Sequence, residues 1–394
     1  VKPRLSRDVI VLGLIAFFVM LGFGVVIPVL PVYVRDFGVG YVEVGAVVSA
    51  FALMRLLASP FVGRMIDWAG ERTILTVGIG IVAASSALLG LAQSYPEALI
   101  WRGVGGIGSA MFSVSAMTLL LGSTPQAMRG RSVGFYQGGF LIGGMAGPAL
   151  GGLLAGISLT APFFFYAGTL VLAGLVGVVL LKPKRVQQVA EAVEQAHVPF
   201  RTVLRDVRFQ AACLANFSAG WASMGVRSAL IPILVVEVLR GPAAWTGIAF
   251  AVAAVAQTAM LAPAGRFVDT VGRRPAIIGA FAVAGATIFL IPFAPNIWIL
   301  IIILCVYGAA AAFMGTAPAA AVGDAAGAKS GNPVAVFSMM SDLGAIIGPL
   351  AAGLLVDMFS YQAAFGSATV LLVAASLFAL RMPRLRRATP EVAA

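Results

Sequence analysis

Gly63–Arg72 reads GRMIDWAGER, and Gly265–Arg274 reads GRFVDTVGRR, an offset of 202 residues. Each stretch sits between long apolar runs and brings an aspartate, a second glycine and basic residues into a short hydrophilic turn. The spacing recurs elsewhere. Ile27-Pro28-Val29-Leu30 returns as Ile231-Pro232-Ile233-Leu234 at an offset of 204, and Gly147-Pro148 returns as Gly348-Pro349 at an offset of 201. Three near-equal offsets mark two copies of one unit, an arrangement in which a binding site falls between the copies.

The copies are built for a bilayer. Of the 394 residues, 60% are hydrophobic and 10% charged, against about 25% charged in a soluble domain. Val9–Val34, Thr73–Pro96, Ser132–Leu181 and Pro275–Gly323 contain no Asp, Glu, Lys or Arg. A spanning helix needs ~20 mostly apolar residues. Hydropathy and breakers place twelve spans at 9–34, 43–66, 73–94, 97–121, 131–156, 162–181, 208–236, 243–267, 275–294, 296–322, 331–357 and 360–380. The first span follows KPRLSR and reads as a permanent helix rather than a cleaved leader. The expected fold is an all-α membrane protein, with twelve transmembrane helices in two pseudo-symmetric six-helix bundles. Residues 1–181 form the first bundle, 182–206 a cytoplasmic linker and 207–394 the second bundle.

The net charge of +11 is topological. With both termini in the cytoplasm, Arg35 and Arg240 fall outside, and Arg55, Arg102 and Arg227 fall within spans. Every other Lys and Arg gathers on the inner side, as the positive-inside rule requires. Nucleic acid is therefore not an expected partner. Cys213 and Cys305 lie in spans and His197 in the linker, which suggests neither a disulfide framework nor a metal site. No cofactor is expected.

With these motifs, the chain resembles the major facilitator superfamily over essentially its whole length. The resemblance implies an inner gate at the repeated turn, carried by Gly63, Asp67, Gly70 and Arg72 in the first copy. The second copy supplies Gly265, Asp269, Gly272, Arg273 and Arg274. The first copy departs from the family pattern, with Trp68 and Glu71 where basic residues are usual. Guanidinium groups beside a helix end form charge-assisted pairs, which hold one state closed and break in the other.

Gly134, Gly143, Gly147, Pro148, Gly151 and Gly152 form a pattern similar to the fifth-helix motif of the exporter, or antiporter, branches. Such a glycine face gives up helix propensity for close backbone contact in lipid. The sequence expectation is that it packs against, and slides on, a helix of the other half.

Ionisable residues within spans are functional candidates. Arg102, in LIWRGVGGIGSAMF, resembles the fourth-helix motif of proton-linked members, with Gly105 where Gln is usual; its helical stripe is expected to face the central cavity. Asp342 is the one acid deep in a span, and the fold implied by the resemblance places Arg55 opposite it. That pair either moves protons or pins the two halves together. Arg227 shares a face with Asn216, and its expected match in the first half is the uncharged Phe23, so it breaks the symmetry of the repeat. Three arginines against one aspartate predict a cavity that tolerates anionic or neutral substrates better than dications. Phe112, Tyr136, Trp221, Phe250 and Tyr307 are candidate aromatic walls.

The expected function is secondary active transport: proton-coupled, multidrug-like efflux of amphipathic small molecules by alternating access. The expected setting is a monomer in the plasma (inner) membrane, its partners being substrate, protons and lipid. The alternatives are a narrow exporter of a sugar, amino acid or siderophore-like metabolite, or an uncoupled facilitator. An enzyme is not expected, since no paired carboxylates or nucleophile constellation occurs, and no phosphate-cradling G-x-x-x-x-G-K-[ST] supports ATP-driven transport.

Overall fold

The computed structural model describes residues 6–125, 128–181, 200–326 and 331–383. His197 and most of the expected linker lie outside them. Among the described residues, twelve helices are long and apolar enough to cross a membrane: α1 (Arg7–Val26), α2 (Tyr41–Ala69), α3 (Glu71–Gly90), α4 (Tyr95–Gly122), α5 (Arg131–Ala155) and α6 (Ala161–Leu180). The second set is α7 (Val207–Val238), α8 (Ala244–Thr270), α9 (Arg273–Phe293), α10 (Ile297–Ala325), α11 (Pro333–Met358) and α12 (Tyr361–Arg381).

Helix starts follow local chemistry. The Ser6 hydroxyl accepts from the Val9 amide, the Asp206 carboxylate from Arg208, and the Ser360 hydroxyl from Ala363. Each side chain occupies an amide that the first helical turn leaves unpaired. Gly70 joins α2 to α3 at φ +82°, and Gly272 joins α8 to α9 at φ +116°. Side chains rarely adopt that backbone region, which explains a glycine in both copies of the turn.

The first span is shorter than its apolar length predicts. α1 ends at Val26, and a short helix at Leu30–Arg35 follows a turn. Pro28 and Pro31 each lack an amide proton, so the apolar run through Val34 does not continue as one helix. Prolines inside other helices recur between the copies, Pro60 with Pro263 and Pro148 with Pro349.

Two large hydrophobic cores result, one drawn mainly from the first six helices and one from the last six, with a smaller cluster around Val62, Ile66 and Met111. The packing is pseudo-symmetric. α1 lies on α5 and α6, as α7 lies on α11 and α12, and α4 lies on α2 and α3, as α10 lies on α8 and α9. The halves meet where α2 packs on α11 and α5 on α8.

The glycine motif differs from the sequence expectation. A Cβ at Gly143 would stand 2.5 Å from the Phe17 carbonyl oxygen, and one at Gly147 would stand 2.7 Å from the Cα of Gly24. Both contacts are to α1, in the same half. Gly151 likewise abuts Val25, while Gly152 faces α8 at Ala244 and Gly247, and Gly134 meets nothing within 4 Å. Most of the motif binds α5 to α1 because a bundle without side chains at the contact gains dispersion along the whole helix. Only its last turn serves the interface between halves.

Candidate functional site

Helices α1, α5, α7 and α8 enclose a cavity of about 350 Å³ between the two halves. Its wall is apolar and soft, with Met20, Phe23, Phe140, Met145, Met224 and Phe250, and is interrupted by Gln137, Gln257 and Thr258. Among the described residues, Arg227 is the one charged side chain on it. Its guanidinium carbon lies 5.2 Å from the Phe250 ring centre and 5.7 Å from that of Tyr307. Its Nε is buried without a hydrogen-bond partner.

Local backbone geometry accounts for the position of Arg227. Gly225 packs on Gly348 as Gly24 packs on Gly147, both at an offset of 201. The Ile-Pro pair just beyond is offset by 204. Three more residues therefore separate Gly225 from Ile231 than separate Gly24 from Ile27. α7 accommodates them next to a π-helical segment, Trp221–Ser228, which carries Arg227. By contact register the counterpart of Phe23 is Met224, not Arg227, and Arg227 belongs to the extra residues. Such π segments recur at functional sites.

The other in-span charges lie elsewhere. Arg55 Nη2 is 2.5 Å from Asp342 Oδ1, joining α2 to α11 across the halves. One to two turns away the Ser49 hydroxyl donates to the Ile346 carbonyl at 2.6 Å, across the same interface. Arg102 does not line the cavity but stands behind its wall, 5.7 Å from the Phe23 ring centre. It is 8% exposed in a crevice inside the first half, its guanidinium 4.4 Å from the Phe51 ring centre. Gly106 lets α4 close on α2 there, since a Cβ would stand 2.3 Å from the Phe51 carbonyl oxygen. Asn216 donates to the Phe337 carbonyl at 2.7 Å, tying α7 to α11. Of the candidate aromatics, Phe250 lines the cavity and Tyr307 stands over Arg227, whereas Trp221 donates to Ser367.

At the turn motifs, Arg72 donates to the Val178 carbonyl at the end of α6. Arg273 Nε lies 2.9 Å from Asp324 Oδ2 on α10, and Nη1 donates to the Val268 carbonyl. Arg274 lines a neighbouring hollow with Arg208. Asp67 and Asp269 are exposed, and neither forms an ion pair among the described residues. Gly63 and Gly265 have open space around them.

The opposite end carries a cluster that sequence reasoning missed. Glu237, near the end of α7, accepts from Arg35 Nε at 2.9 Å and from the Tyr41 hydroxyl, and Tyr361 stands 3.5 Å from it. Beside it the Asp357 carboxylate of α11 accepts from the Tyr41 and Val42 amides, capping α2 from the other half. Partial burial would lower the Arg35 pKa, but the hydrogen bond and charge of Glu237 outweigh it and hold the guanidinium above its ordinary value. Arg35 and Glu237 are 202 residues apart, close to the repeat spacing. Opposite charges at matched positions near the pseudo-twofold axis are the signal that would have found this latch.

An interhelical cavity between two duplicated six-helix bundles, closed at one end by ties between the bundles, defines a class of membrane protein. The chain belongs to the Major Facilitator Superfamily, which it matches over residues 12–254 and 212–394. It is 30% identical over 182 residues to the quinolone resistance protein NorA of Staphylococcus aureus, covering 46% of this chain and 47% of that one. It is 30% identical over 264 residues to the synaptic vesicular amine transporter of Rattus norvegicus, covering 66% and 50%. The matched segments thus span about half the length of these curated relatives. Among solved structures, a bacterial homologue of the human lysosomal transporter Spinster, inward-facing and occupied, superposes with a TM-score of 0.76 at 16% identity, covering 94% and 95%. A variant of the nucleoside transporter NupG gives 0.73 at 13% identity, covering 95% and 98%.

Proposed function

We propose that this chain is a secondary active transporter that expels an amphipathic small molecule in exchange for protons, by alternating access. The observation that carries the reading is the cavity between the halves, with the Arg35–Glu237 latch tying the halves beyond one end. Rocking moves one half against the other, so an access site must lie at their interface and be sealed by contacts that the opposite state breaks. The latch and the Asp357 cap are such contacts. The side bearing Arg72, Arg208 and Arg273 faces the cytoplasm under the positive-inside rule, in the plasma membrane with both termini inside. The turn aspartates, unpaired here, would then form the inner gate of the opposite state. The chain acts as a monomer, since each copy of the repeat supplies one wall of the cavity.

Asp342 with Arg55 is the proton switch of this reading. Protonation of the carboxylate removes its charge and releases Arg55, loosening α2 from α11 and coupling proton load to conformation. The similarity to a quinolone resistance protein favours export over uptake.

The test is proton movement in proteoliposomes carrying an internal pH-sensitive dye. With a pH gradient imposed and a panel of anionic, neutral and cationic amphiphiles added, the expected result is substrate-dependent proton release that disappears in Asp342→Asn. Release that survives in the variant removes Asp342 from coupling. No release with any compound, in protein shown to be folded, overturns the antiport reading.

A further inference from the structure

We infer that the cargo held in the central cavity is a singly charged organic anion, an apolar body carrying one carboxylate that pairs with Arg227. The inference rests on the transport reading for its biology but on the cavity itself for its chemistry.

The first argument is electrostatic. Among the described residues the wall holds one cation, Arg227, and no acid. No carboxylate among the described residues pairs with that guanidinium, and its Nε is buried and unpartnered. The side chain is half-buried against the cavity, so an entering carboxylate meets an unneutralised guanidinium that is already partly shielded from water. The stacked faces of Phe250 and Tyr307 hold the guanidinium in place without neutralising it.

The second argument is by comparison with the other interior arginines. Arg55 is paired with Asp342, and Arg102 is enclosed over Phe51 in a crevice of the first half, behind the wall residue Phe23 and not on the cavity surface. Arg227 alone combines an open cavity with an unpaired charge. It arrives there through the additional residues that the second half carries next to its π-helical segment, so the first half offers no second cation across from it. One guanidinium matches one negative charge. A phosphate or dicarboxylate would leave charge uncompensated in an apolar chamber.

The remaining wall sets the body of the ligand. Methionines from three helices, Met20, Met145 and Met224, adapt to different outlines. Phe23, Phe140 and Phe250 supply flat apolar surface, and 350 Å³ lies at the small end of ligand pockets. An amine placed there would face Arg227 with no counter-charge.

The test uses three isosteric probes: 2-naphthylacetate, 2-naphthylacetamide and 2-(2-naphthyl)ethylamine. Binding to the purified full chain is measured by titration calorimetry. The expected order is carboxylate tightest by at least tenfold, then amide, then amine. Arg227→Gln should cost the carboxylate at least tenfold while leaving the amide within twofold, and Arg227→Lys should recover part of the loss. Tighter binding of the amine, or unchanged carboxylate affinity in Arg227→Gln, overturns the inference. Equal loss for all three probes also overturns it, because Arg227 would then shape the cavity rather than pair with charge. Selective carboxylate binding without proton release in liposomes would leave the inference standing and remove proton coupling, so the two failures are distinguishable.

Discussion

Asp342 of α11 holds Arg55 of α2 across the interface between the halves, Oδ1 2.5 Å from Nη2, while their side chains remain 26% and 39% exposed. A pair that open to its surroundings is not locked inside packed protein. A part in coupling and a part as a structural pin therefore separate experimentally. Asp342→Asn and Arg55→Gln should each leave the melting temperature within a few degrees of wild type while abolishing substrate-dependent proton release. A large fall in melting temperature for both variants would assign the pair to holding the halves together.

The latch at the far end makes a second prediction. Glu237 receives Arg35, Tyr41 and Tyr361 at once, so Glu237→Gln removes the charge on which the cluster converges. The population should shift toward the state open on that side. With Cys213 and Cys305 replaced by serine and a single cysteine placed at Met224, a membrane-impermeant maleimide added from the latch side should label Glu237→Gln severalfold faster than the parent. Equal rates would show that Glu237 does not bias the equilibrium.

Asp206 gives a pH signature. Hydrogen bonds from the Arg208 side chain hold its carboxyl below the ordinary 3.8, outweighing partial burial, which acts in the opposite direction. A group whose pKa is depressed on folding stabilises the fold above its unfolded value and ceases to do so as pH falls through the folded one. Asp206→Asn keeps a capping oxygen and loses the charge. Its melting temperature should therefore lie below wild type at pH 7, with the gap closing as pH drops under 3.8. A gap that is constant with pH would mean that the charge does not carry the effect.

Much of this arrangement was legible in the sequence because it is written in periodic or repeated features. Charge-free length located the spans, and the repeated Gly-Pro pairs and turn motifs located the duplication. What escaped was set by register and by distance. Beyond the near-repeat spacing of Arg35 and Glu237, nothing marks Tyr41, Asp357 and Tyr361 as their neighbours, since each sits at the end of a different apolar run. A stripe of small residues specifies close approach without naming the helix that approaches, so the sequence does not identify α1 as the partner of the glycine face. Helical phase alone points Arg102 at the cavity, and phase does not distinguish the cavity from the crevice that Gly105 and Gly106 open toward Phe51 and Ser85. Arg227 stands out in the sequence as breaking symmetry, but its match to Phe23 takes the helix lengths as equal, which the three extra residues of α7 do not respect.

The glycine motif supplies the last prediction, because its members differ sharply in what surrounds them. At Gly147 a Cβ would stand 2.7 Å from both the Gly24 Cα and the Leu21 carbonyl oxygen, and backbone atoms cannot rotate away. Gly147→Val should force α5 off α1 and cost about 1–3 kcal/mol as an overpacked contact. At Gly134 nothing lies within 4 Å, so Gly134→Ala meets no obstacle and gains helix propensity of up to about 1 kcal/mol. Thermal unfolding of the two variants in the same detergent should therefore move in opposite directions. Their transport should diverge as well: Gly134→Ala should retain wild-type rates, whereas Gly147→Val, by displacing the helix that carries Gly144, Met145 and Pro148 on the cavity wall, should lose substrate affinity along with stability. A destabilising Gly134→Ala would mean that the α5 surface there is covered in the functional cycle by a contact absent from this state.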